Sequence, residues 1–112
     1  MPGLTIYFTE QRMPAHTHLA ALTERCTQLC TDLLGAALDN VHIQYLGARH
    51  GRGYPASAEL TYRLSPARTP ALMDEFMRQL ALAIQQHAGM AARIRCFGCT
   101  PRHCTPGTDD RP

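Results

Sequence analysis

Residues 1–12 read MPGLTIYFTEQR. Leu4, Ile6 and Phe8 fall on one side of an extended chain, and Thr5, Tyr7 and Thr9 on the other. This period of two marks a half-buried strand. Pro2 stands at its head. Proline cannot donate to a sheet ladder but is tolerated as the first residue of a strand. Its place also has a chemical consequence. Aminopeptidases that remove the initiator methionine act when the second residue is small. Pro2 would then carry a free secondary amine, a base or nucleophile fixed to the end of a rigid element.

The same periodicities continue along the chain. QRMPAHT is a loop broken by Pro14. Thr17 is the expected N-cap of a helix whose apolar stripe runs through Leu19, Leu22, Cys26, Leu29, Cys30 and Leu33, with Gly35 as terminator. VHIQYLG alternates again, with Val41, Ile43 and Tyr45 opposite His42 and Gln44. ARHGRGYP is a Gly-rich basic loop. ASAELTYRL is a third strand, with Ala58, Leu60, Tyr62 and Leu64 opposite Glu59, Thr61 and Arg63. Thr69 caps a second helix and Pro70 suits its first position. Met73, Phe76, Met77, Leu80 and Ile84 form that helix's apolar face, and Gly89 ends it. A fourth strand sets Ala92, Ile94 and Cys96 opposite Arg93, Arg95 and Phe97.

The expected fold is therefore α+β: two consecutive β-α-β units forming a four-stranded mixed sheet, with two helices on one face. Each β-α-β unit has parallel strands joined by a right-handed crossover. Residues 1–98 make one domain, and 99–112 a Pro-rich polar tail. The sheet's other face collects His42, Gln44, Glu59, Thr61, Arg63, Arg93 and Arg95. An open sheet can turn such a face to water, and equally to a partner subunit or a polar channel.

Composition narrows the functions. Of 112 residues, 45% are hydrophobic and 18% charged, enough for a real core. A formal net charge of +2, with no basic run interleaved with aromatics, gives no nucleic-acid signature. No apolar stretch approaches the roughly 18 residues of a membrane helix, and no leader pattern opens the chain. A cytoplasmic protein with reduced cysteines is expected. Five cysteines, an odd number, also weigh against a complete disulfide framework.

The opening MPGLTIYFTEQR, together with the doubled β-α-β rhythm, resembles the tautomerase superfamily, the group of 4-oxalocrotonate tautomerase and macrophage migration inhibitory factor. Glu10-Gln11-Arg12 follows the first strand as a Glu-x-Arg does in the 4-oxalocrotonate tautomerase branch. GRGYP and SPART resemble stretches around the third strand of malonate semialdehyde decarboxylase. The resemblance covers roughly residues 2 to 98. It implies a homotrimer and an uncharged amino-terminal proline that moves a proton between carbons of an enol or 2-oxo acid. The expected base is Pro2, and Arg12, Arg49, Arg52, Tyr54 and Arg68 are the expected binders of a small acidic substrate. Arginine charge disfavours a protonated amine nearby, and a guanidinium grips a carboxylate in two-pronged fashion. The family's second-strand arginine falls near His42 here, and no dedicated acidic residue of the decarboxylase or dehalogenase kind is found. Proton transfer is thus favoured over decarboxylation. The alternative is a non-catalytic trimeric binding or interaction protein on the same fold.

No cofactor is expected. Cys96, Cys99, His103 and Cys104 are of the right types for zinc. However, no second knuckle exists, adjacent His103 and Cys104 chelate one ion awkwardly, and Cys96 points into the core. No metal site is assigned. Cys26 and Cys30 read as plain core residues.

Overall fold

A computed structural model describes residues 2–100 in full and residues 104–109 as backbone. Strand β1 (Gly3–Thr9) leads through a short 3-10 turn at Glu10–Arg12 into helix α1 (His16–Asp32). Strands β2 (His42–Ala48) and β3 (Ala56–Arg63) follow, then helix α2 (Pro70–Ala88), strand β4 (Ala92–Cys99) and strand β5 (Cys104–Asp109). The sheet order is β2-β1-β3-β4-β5. β1 runs parallel to β2, and β3 parallel to β4. β1 and β3 meet antiparallel in the middle. This is the mixed sheet of two β-α-β units that the alternation predicts.

One sheet face carries both helices. Leu4, Ile6 and Phe8 lie across from Leu60, Ala58 and Ala56, which in turn neighbour Cys96, Ile94 and Ala92. These residues join Leu22, Cys26, Leu29 and Cys30 of α1 and Met73, Phe76, Met77, Leu80 and Ile84 of α2 in one buried core. β2 is sealed less tightly: Val41, Ile43 and Tyr45 are half-buried at the sheet edge. Tyr45 nevertheless anchors to α1, its hydroxyl 2.7 Å from that of Thr23.

Four expectations need adjustment. α1 begins at His16 with Ala15 at the cap and no side-chain cap bond, so Thr17 sits inside the helix. Leu34 rather than Leu33 completes the buried stripe. There the chain leaves the helix through Gly35 at φ 66°, and the amide of Ala36 reaches back to the Cys30 carbonyl at 3.1 Å. That left-handed exit is natural for glycine. Thr69 does cap α2, accepting from the Leu72 amide, and Gly89 closes it at φ 69°.

The third adjustment concerns the stretch read as tail. Its residues 104–109 pair antiparallel with β4, with Cys104 across from Cys99 and Pro106 across from Phe97. An edge strand tolerates proline. Cys99 is disulfide-bonded, which corrects the expectation of reduced cysteines throughout; Cys26, Cys30 and Cys96 are free and buried. Cys96 is a core residue, and His103 lies outside the described residues. Among the described residues, no group of three or more metal-binding side chains occurs. No helix among them is long and apolar enough to cross a membrane.

Candidate functional site

The two ends of the sheet differ in chemistry. At one end lie the starts of β1 and β2 and the ends of β3 and β4. Pro2 is here, its ring fully buried and its carbonyl accepting the His42 amide at 3.1 Å. The antiparallel ladder ends at the Gly3–Thr61 pair. Pro2 and Tyr62 are the next residues outward, and both belong to the helix-facing row. Tyr62 keeps only 9% of its surface exposed.

Arg68 reaches this end from the loop between β3 and α2. Its Nε donates to the Leu34 carbonyl at 3.0 Å and its Nη1 to the Arg63 carbonyl at 2.8 Å. The guanidinium is thus pinned between the exit of α1 and the exit of β3, with its Nη2 left over. Its positive charge acts on two buried groups, counteracting the upward push that burial gives the Tyr62 phenol and the Cys30 thiol.

The opposite end holds the loop arginines. Thr9 donates both its amide and its hydroxyl to the Pro55 carbonyl, each at 3.0 Å, which ties the loop between β2 and β3 to the end of β1. Gly53 turns that loop at φ 103°. A cavity of about 160 Å³ opens there, with Arg49, His50, Arg52 and Tyr54 in its wall. Arg12 is exposed in the 3-10 turn at the same end. The seven residues of β1 separate Pro2 from this cluster. At about 3.3 Å per residue, that is roughly 20 Å. Within one chain, then, Arg68 shares an end with Pro2, whereas Arg12, Arg49, Arg52 and Tyr54 gather at the other.

The face away from the helices is polar, as the alternation predicts. Glu59 accepts a hydrogen bond from Tyr7, which raises the phenol's pKa, and lies across from Arg95. A groove of about 420 Å³ runs over Tyr7, Ser57, Glu59, Arg93 and Arg95.

No protein-family model matches the sequence, and no curated protein matches it. Solved structures do. The macrophage migration inhibitory factor of Toxoplasma gondii superposes with a TM-score of 0.72 at 16% identity, covering 88% of this chain and 90% of that one. A fused 4-oxalocrotonate tautomerase, described as an asymmetric trimer, gives 0.73 at 20% identity over 96% and 94%. Malonate semialdehyde decarboxylase gives 0.64 at 15% identity over 88% and 84%. This chain shares the fold of these structures. In this chain an outer strand, β5, extends the four-stranded mixed sheet. Tyr62, which alternation assigns to the core, is buried there.

Proposed function

We propose that the protein is a small isomerase of the tautomerase type, acting on an enol or 2-oxo carboxylate. The observation that carries this reading is the placement of Pro2 at the head of β1, its ring buried, at the same end of the sheet as the pinned Arg68. Removal of Met1 would turn its nitrogen into a secondary amine. An ordinary α-amino group has a pKa of about 7.7–8.0, and a prolyl amine lies higher. Burial disfavours the protonated form, as would positive charge brought near it. A base poised near neutrality follows, as general-base catalysis requires.

Arg12, Arg49, Arg52 and Tyr54 then bind the substrate carboxylate across a subunit boundary. A neighbouring copy would bring its loop end against the Pro2 end, since about 20 Å of strand keeps the two apart within one chain. We take the assembly to be a homotrimer, with the polar sheet faces turned toward a central channel and subunit contacts covering exposed strand edges. Sedimentation should give three times the chain mass of 12.4 kDa; a monomer at micromolar concentration would contradict it. The buried Pro2 ring favours one other reading, a binding protein on the same fold with no chemistry. Intact-mass analysis of the N-terminus, followed by an ultraviolet assay of enol decay with Pro2→Ala alongside, separates the two.

A further inference from the structure

The groove over the polar sheet face continues past the strands. At the loop end it adjoins a second cavity, of about 610 Å³, walled by Arg52, Gly53, Tyr54, Ser57 and Arg93. Ser57 and Arg93 line both cavities and are direct neighbours on β3 and β4. The fold fixes their places. Alternation sets both on the face away from the helices, and each is half-buried there. The loop that carries Arg52 is held by the bonds of Thr9 to Pro55, two residues before Ser57. A loop and two strands thus bring two guanidiniums and a hydroxyl to one cavity. Among the described residues, no carboxylate stands in its wall. Glu59, in the adjoining groove, is engaged by Tyr7 and lies across from Arg95, not Arg93. Among the described residues, Arg52 makes no ion pair and the Ser57 hydroxyl no hydrogen bond.

A cleft lined by one sign of charge concentrates the opposite ion, and a guanidinium donates in pairs to carboxylate and phosphate oxygens alike. Donors from a loop and from two neighbouring strands suit a tetrahedral group better than a flat carboxylate. The volume lies among those of small-molecule sites, roughly 300–1,000 Å³, and exceeds what a bare phosphate fills. We propose that Arg52, Ser57 and Arg93 bind the phosphate group of a small phosphomonoester, with Tyr54 beside its organic part. Such a group carries a charge of about −1.5 to −2 at pH 7 and three acceptor oxygens, a match for two arginines and one hydroxyl. The site needs neither Pro2 nor the removal of Met1. Arg52 and Tyr54 also belong to the carboxylate-binding set proposed above, so a phosphomonoester competes with the carboxylate substrate for them.

The test is calorimetric titration with phenyl phosphate and with phthalate, a ring of like charge carried on two carboxylates. Ionic strength is held constant, because salt screens exposed charges. Phenyl phosphate should bind saturably and more tightly than phthalate. Arg52→Gln and Arg93→Gln should each weaken it by about 10–100-fold, the loss of a charge-assisted hydrogen bond, and Ser57→Ala by about 2–10-fold. Arg25→Gln, which removes the same charge from α1, should leave Kd unchanged. No saturable binding overturns the proposal. So does a wild-type Kd in Arg52→Gln or in a folded Arg93→Gln, and so does an equal loss in Arg25→Gln, which would reduce the effect to net charge. Phthalate binding as tightly as phenyl phosphate overturns the ligand class. Arg52 is exposed in a loop, so Arg52→Gln decides the matter even if Arg93→Gln fails to fold. Turnover enters none of these readings: a failed site leaves the isomerase reading untouched, and an inactive protein leaves the site standing.

Discussion

Tyr62 and Gly98 sit side by side on β3 and β4, and the hydroxyl of the first occupies space that a side chain on the second would need. A strand glycine normally weakens a sheet; this one clears a seat for a phenol. Gly98→Ala should therefore destabilise the fold by about 1–3 kcal/mol, the usual cost of overpacking. Leu64 is 39% exposed and can swing aside, so the ring of Tyr62 bears most of the conflict. Adding Tyr62→Phe to Gly98→Ala should recover part of the loss. Urea unfolding of the four proteins checks it, and strictly additive effects would contradict it.

The two helix starts predict opposite outcomes for similar substitutions. Thr69→Ala removes the hydroxyl that accepts from the Leu72 amide at 3.2 Å and should cost about 1 kcal/mol. Thr17→Ala touches no cap, since α1 starts at His16, and should change stability by less than about 0.5 kcal/mol. Thermal unfolding of both variants distinguishes a true cap from a residue two positions too late.

Alkaline pH should loosen the core through its thiols. Burial pushes Cys26 up to about 12, with the adjacent Cys30 adding to it, and Cys30 itself up to about 11 against the opposing charge of Arg68. The folded chain thus holds protons that the unfolded chain releases near pH 9. Their stabilising contribution is complete below pH 9 and is lost as pH climbs through about 11–12. The slope is at most about 1.4 kcal/mol per pH unit for each thiol. Tyr45, pushed up to about 12 mainly by burial, adds to the same decline. Cys26→Ala should flatten the fall in urea midpoint between pH 9 and 11; an unchanged slope would contradict the assignment.

Strand alternation made most of this fold legible. The rows Leu4-Ile6-Phe8 and Ala92-Ile94-Cys96 are buried as the period of two requires. Thr69, Pro70 and Gly89 punctuate α2 as their chemistry dictates. β5 was hidden because CTPGTD contains proline and glycine, which argue against a strand except at an edge. The site was legible only in part. Pro2 and Arg68 can be placed at one end from sequence order and strand direction. The distance from Pro2 to Arg12 cannot be read as contact, because an extended strand carries nearby sequence positions far apart. Tyr62 takes the core-facing place that its parity predicts, whereas the close approach of its hydroxyl to Gly98 on β4 has no sign in the alternation.

The central claim is that Pro2 is the base. The most direct measurement is the decay of a 2-oxo acid enol by ultraviolet absorbance, using protein whose N-terminal mass shows Met1 removed. Wild type should outpace buffer, and Pro2→Ala, which keeps a primary amine and the fold, should lower turnover by about 10²–10⁴-fold. Equal rates for wild type and Pro2→Ala, or a wild type no faster than buffer, would contradict it.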